Sequence, residues 1–204
     1  SINDTMSRNG GTGLSIVAAN NATVDALTIQ GGTFEQNAGR GINLEARDNA
    51  VIHANSTLGG FDPLTLGQNI ILGTSYTEGN VISRNSSDGI RVLAANGGRV
   101  DGNLINNNIS ENLGDGAALI IDNGGTLNFG SAANNEVISR NTINANVGAG
   151  LRLTSNVTPT STGVLNALVQ GNTISANTGG GIVSQLTGLH SFPPINNSLN
   201  LTVN

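Results

Sequence analysis

The sequence predicts an all-β chain: a right-handed parallel β-helix (solenoid) of about six coils, with three short strands per coil. Three observations carry this. One template, Asn-x-Φ-x-x-Asn-x-Gly-x-Gly-Φ-x-Φ with Φ apolar, recurs six times along the 204 residues. The chain is rich in Asn (32) and Gly (29) and contains no lysine, a poor composition for helices. Within each copy, apolar and polar residues alternate with the period of a strand.

The copies are anchored at Asn9, Asn37, Asn85, Asn112, Asn146 and Asn177. Three residues before each stands an apolar residue: Met6, Phe34, Ile82, Ile109, Ile143 and Ile174. Four residues after each stands Gly: Gly13, Gly41, Gly89, Gly116, Gly150 and Gly181. Two before that Gly is another in five copies, Ser87 being the exception. Five before the anchoring Asn lies Asp4, Asn80, Asn107, Asn141 or Asn172, again in five copies. After the Gly comes a four- or five-residue strand, such as Ile42 and Leu44 around Asn43, or Leu151 and Leu153 around Arg152. A corner of small residues follows (Asn20-Asn21-Ala22, Asp48-Asn49-Ala50, Asn96-Gly97-Gly98, Asn123-Gly124-Gly125), then a further strand from Val24, Val51, Val100 or Leu127.

Strands this short find partners in the next copy, so coils stack at about 4.8 Å. Asn is expected at corners because it tolerates left-handed backbone, and Gly at positive φ. Asn in register on successive coils can bond to the Asn above and below, as in amide ladders. Right-handedness follows from the bias of parallel crossovers.

Composition excludes several classes. Net charge is −5 and all eight basic residues are Arg with no basic run, which disfavours nucleic acid. Without Cys there is no disulfide, thiolate or metal framework, and no cofactor motif is legible. No apolar stretch reaches the roughly 18 residues of a membrane helix. No charged start followed by an apolar run reads as a signal peptide.

With motifs such as Asn172-Thr-Ile-Ser-Ala-Asn177 and Gly179-Gly-Gly-Ile182, the chain resembles the right-handed parallel β-helix repeat proteins. The resemblance covers residues 1–185 and leaves 186–204 as a C-terminal segment with a terminal strand, Ser198–Val203, a cap or an assembly strand. That superfamily includes pectate-lyase-like enzymes and epimerases, phage tailspikes, autotransporter passengers and surface adhesins. The resemblance implies an extracellular or cell-surface setting and leaves the activity open. Phe61-Asp62-Pro63 is similar to the Asp-Pro-His-Asp signature of alginate epimerases, but Leu64 and Thr65 stand where its His and second Asp would be.

Stacking turns template columns into neighbours. Arg40, Asp88 and Asp115 share the column before the repeat Gly, and Arg84 and Glu111 that before the repeat Asn. Two carboxylates one coil apart are the candidate pair for a cation, or for acid and base on a glycosidic bond. The simpler account is a ladder of opposite charges on a solvated corner. Arg91 and Arg152 point outward from the strand after the Gly, where a guanidinium can fork to a uronate carboxylate; a solvated strand face is the simpler account of both. His53 and His190 fall in distant coils, so no metal pair is expected. Outward Thr is not expected in rows.

The interval from Gly41 to Gly89 is about 18 residues longer than its neighbours, with the excess within 53–79, and 158–162 forms a smaller loop. The sequence therefore favours a structural or adhesive surface solenoid, a stalk, sheath or filament segment, over a polysaccharide-binding or polysaccharide-processing domain. Residues 1–6 already lie inside the repeat. The N-terminal edge is expected to be covered by another copy or by neighbouring coils of a longer chain, and head-to-tail stacking of copies would make a filament.

Overall fold

The computed structural model describes residues 2, 4–25, 27–58, 79–130, 137–157, 162–188 and 198–203. Among them there is no helix; nineteen strands form three parallel sheets. Sheet one holds β1 (Thr5–Ser7), β4 (Thr33–Glu35), β7 (Val81–Ser83), β10 (Asn108–Ser110), β14 (Thr142–Asn144) and β17 (Thr173–Ser175). Sheet two holds β2 (Leu14–Ala18), β5 (Ile42–Arg47), β8 (Ile90–Ala95), β11 (Ala117–Asp122), β15 (Leu151–Val157) and β18 (Ile182–Gly188). Sheet three holds β3 (Thr23–Val24), β6 (Val51–Leu58), β9 (Arg99–Ile105), β12 (Thr126–Phe129), β13 (Ile138–Ser139), β16 (Val164–Gln170) and β19 (Ser198–Val203). Successive strands in the chain pass from sheet one to two to three, and each pairs with its counterpart one coil away. The fold is a parallel β-helix of six coils.

Register is set by the interior. Met6, Phe34, Ile82, Ile109, Ile143 and Ile174 lie side by side across sheet one. Ile42, Ile90, Ala117 and Leu151 do the same in sheet two, as do Ile52, Val100, Leu127 and Leu165 in sheet three. These stacks are fully buried in the middle coils. A slip of one residue would turn every one of them to solvent, which is why the period-two pattern fixes the stacking.

The anchoring asparagines form a buried ladder. Asn85 donates its backbone N and its Nδ2 to Asn112 Oδ1 at 3.1 and 2.9 Å, and Nδ2 also donates to Phe34 O at 3.0 Å. Asn37 bonds to Asn85, Asn112 to Asn146, and Asn146 to Asn177 in the same way. A second ladder runs through Asn80, Asn107, Asn141 and Asn172. The side chain thus satisfies backbone groups that the corner would leave unpaired inside.

The structure corrects the expected corner chemistry. The ladder asparagines are not left-handed. The residue just before each is: Arg8, Gln36, Arg84, Glu111, Ala145 and Ala176, with φ between 53° and 57°. Left-handed Asn stands as expected at the sheet-two to sheet-three corner, with consecutive positive-φ residues Asn20–Asn21, Asp48–Asn49, Asn96–Gly97 and Asn123–Gly124, and once between sheets three and one, at Asn106. Left-handed backbone disfavours a Cβ, so Ala145→Gly or Ala145→Asn is expected to raise stability by about 0.5–1 kcal/mol. A lower denaturation midpoint for both variants would contradict this. The repeat glycines are not at positive φ either. A Cβ on Gly41, Gly89 or Gly116 would lie within 2.7 Å of the carbonyl oxygen of the next repeat Gly. Close approach of two coils is what excludes a side chain there.

Threonine does recur outside sheet one, against expectation. The row reads Thr5, Thr33, Val81, Asn108, Thr142, Thr173, broken at its two central coils. β18 runs through the position expected to end the solenoid, and β19 lies parallel to β16 from Ser198 opposite Val164 to Val203 opposite Val169. The terminal strand is therefore the third side of coil six.

Candidate functional site

The expected charge column lies on the rim where sheet one turns into sheet two. Arg40 Nε donates to Asp88 Oδ2 at 3.2 Å, and Asp88 Oδ1 accepts the backbone N of Asp115 at 3.0 Å. Asp115 Oδ1 accepts from Ala149 N at 2.6 Å and from Arg152 Nη2 at 3.0 Å, while its Oδ2 accepts from Arg152 Nε at 2.6 Å. The column and the outward strand row thus join into one relay from coil two to coil five. The hydrogen bond from Arg152 to Asp115 raises the guanidinium pKa against a lowering by burial, with the charges of Asp115 and Asp88 adding to the rise.

This geometry bears on what the pair of carboxylates can do. Each oxygen of Asp88 and Asp115 already accepts a donor from the chain, and their side chains are only 18% and 11% exposed. Calcium takes six to eight oxygens, and no cluster of three metal-ligating side chains exists among the described residues. Next to the relay, Arg91 Nη1 donates to Asn43 Oδ1 at 2.9 Å and lies 3.4 Å from Glu45 Oε2, whose carboxylate also pairs with Arg47. Arg91 is therefore part of a paired network and not a solvated face. Arg84 and Glu111 do not join it. Arg84 turns to Glu35, one coil earlier, with Nη2 2.6 Å from Oε2.

A solved structure that matches this chain is the A-module of the mannuronan C-5 epimerase AlgE4 of Azotobacter vinelandii, at 13% identity and a TM-score of 0.42. The match covers 95% of this chain and 56% of that one, so the chain spans little more than half the module. No protein-family model and no curated protein matches the chain. The fold stands on the strand register described above.

Sequence reasoning missed a second cluster, on the outer face of sheet three. Asp101, buried, accepts Arg99 Nε at 2.8 Å and Asn128 Nδ2 at 2.6 Å, and His53 Nδ1 lies 3.3 Å from its Oδ2. Asn128 Oδ1 in turn accepts Asn166 Nδ2 at 2.8 Å. His53, Asp101, Asn128 and Asn166 share one outward row on coils two to five, and Arg99 reaches Asp101 from the neighbouring row. The signal was present: extending the alignment of Val51, Arg99, Thr126 and Val164 by two residues brings them together. Residues 61–65, Tyr76, the loop at 158–161 and His190 lie outside the described residues.

Proposed function

We propose that this chain is a structural β-solenoid of an extracellular or cell-surface protein, a stalk, sheath or filament segment. One observation supports it above the others: every oxygen of the carboxylates best placed for chemistry, Asp88 and Asp115, is engaged by a donor from a neighbouring coil. Their role is to tie coil to coil. Calcium titrated into the wild-type chain is expected to give no binding heat. Micromolar binding that disappears in Asp88→Asn with Asp115→Asn would end this reading of the rim.

The partner that suits such a scaffold is another coil. Asn172 and Asn177 carry the ladders on coil six, where each ladder residue elsewhere donates its N and Nδ2 to the next coil's Oδ1. A layer stacked there, from a second copy or a longer chain, is expected to place a carboxamide or carboxylate oxygen in register with both. Light scattering across a concentration series tests whether copies of this chain supply it.

A second reading, a polysaccharide-binding face, is favoured by one distribution of charge. Four of the eight arginines, Arg40, Arg47, Arg91 and Arg152, lie on sheet two and its rim.

A further inference from the structure

We infer that copies of this chain stack head to tail, coil six of one seating on coil one of a second copy. The inference rests on the structural reading and names its partner.

The first ground is steric. Below coil six, each repeat Gly is kept free of a side chain by the coil that follows. A Cβ on Gly13, Gly41, Gly89, Gly116 or Gly150 would lie 2.6–2.8 Å from the carbonyl oxygen of the next repeat Gly. Gly181 keeps the glycine without that reason. Among the described residues a Cβ there would meet only Ile174 Cγ2, at 3.9 Å, and Gly181 is not at positive φ. Glycine costs backbone entropy on folding. A carbonyl oxygen laid over Gly181, that of Gly13 in a second copy, gives it the role it has in every other coil.

The second is the apolar interior. Ile143 and Leu151 are fully buried, but Ile174 and Ile182, next in the same stacks, are only partly so, and Leu186 is 55% exposed. On coil one, Met6 and Leu14 begin those two stacks and are also only partly buried. Joining the ends sets Ile174 on Met6 and Ile182 on Leu14. It also sets Leu186 over Ala18, which begins its row with a small side chain. Apolar surface leaves water at both ends at once.

The third is the polarity of the ladders. Each ladder Asn donates its N and Nδ2 to the Oδ1 of the next coil, from Asn9 onto Asn37 through to Asn146 onto Asn177. The ladder therefore ends in donors on coil six and in an acceptor on coil one. Among the described residues, Asn177 N and Asn9 Oδ1 have no partner, and Asn177 Nδ2 donates only to Ile143 O. Two like ends would set donor against donor or acceptor against acceptor; a copy in the same orientation sets Asn177 on Asn9. The second ladder makes the same match. Its column begins at Asp4, opposite Gly32, which has no side-chain acceptor. An Asn at position 4 would have nothing there to donate to. The exposed Asp4 carboxylate only accepts, and Asn172 N on coil six is a donor with no described partner. Each added copy leaves one free end of each kind, so the stack does not close.

The test is sedimentation velocity of the intact chain across a concentration series. A weight-average mass that climbs from the 20.6 kDa monomer and does not stop at a dimer is expected. Gly181→Ala should leave the melting temperature unchanged and weaken association about tenfold or more, because its methyl group overlaps only the backbone of the second copy. Asp4→Lys should do the same from the other end. Gly10→Ala should associate like wild type, since its column carries side chains in other coils, as at Ala38 and Ser86. Mixing Gly181→Ala with Asp4→Lys should halt growth near twice the monomer mass, because each variant keeps the end that the other has lost. Circular dichroism separates lost stacking from lost fold, and if one variant unfolds, the other carries the test. A wild type that stays monomeric at every concentration overturns the inference. So does wild-type association in the folded variants, or a mixture that stays monomeric or grows like wild type. Such a failure leaves the structural proposal standing, since that falls on calcium binding at Asp88 and Asp115, in coils three and four.

Discussion

Asn112→Leu is expected to destabilise the protein by about 3–5 kcal/mol, the cost of leaving several buried polar groups unpaired at once. Asn112 is fully buried. Its Oδ1 accepts both the backbone N and the Nδ2 of Asn85, at 3.1 and 2.9 Å. Its Nδ2 donates to Asn146 Oδ1 at 2.9 Å and to Ile82 O at 3.2 Å. Leucine removes the acceptor from Asn85 and the donor from Ile82, and no water can reach either. Asn108 supplies the control. It stands exposed on the outside of the same coil, and Asn108→Ala should change stability by no more than about 0.5 kcal/mol. Urea midpoints check both. A midpoint for Asn112→Leu within error of wild type would remove the ladder from the list of things that hold the coils.

The second large effect is expected at Gly89. An alanine Cβ there would lie 2.6 Å from Gly116 O, 2.7 Å from Ile109 Cγ2 and 2.8 Å from Asn112 Nδ2. The carbonyl belongs to a backbone that itself accepts from Ile90 N at 3.0 Å, so it cannot withdraw without opening the stack. Gly89→Ala should cost about 3 kcal/mol, at the upper end of overpacking effects. Gly10→Ala meets nothing within 4 Å and should be near neutral. Thermal melts of the two variants side by side decide it. Equal melting temperatures would show that the coils can part to admit a methyl group.

Both effects trace to template positions, which explains how much was legible. Asn112 and Gly89 recur because every coil meets the same environment, so the sequence shows the constraint six times over. The reasons behind the constraint were less visible. Gly89 looks like a positive-φ glycine in sequence, and the left-handed residue is in fact Arg84, five residues earlier. An arginine or glutamate carries no mark of that conformation. The corner accepts it because the ladder asparagine that follows needs the buried place.

The candidate site divides along the same line. Arg40, Asp88 and Asp115 were brought together by counting, since they share a column. Arg152 joined them only in the structure, where a long side chain crosses from the strand row to the rim and meets Asp115 at 2.6 Å. Arg84 left its expected partner Glu111 for Glu35, in a different column of the previous coil. The His53–Asp101–Asn128 cluster went unseen because the sequence reading started the third strand at Val51, Val100 and Leu127, whereas Val51 pairs with Arg99, so His53 was set one residue away from Asp101.

By itself, then, the sequence determined the parallel β-helix, its six coils, its apolar interior and its asparagine ladders. Each of these depends on backbone period and side-chain type, and both are written along the chain. Beyond the column shared by Arg40, Asp88 and Asp115, tertiary structure decided which charged groups meet. Stems of Arg reach across columns, and their direction is chosen by the carboxylates and backbone donors of neighbouring coils, which no spacing in the sequence records.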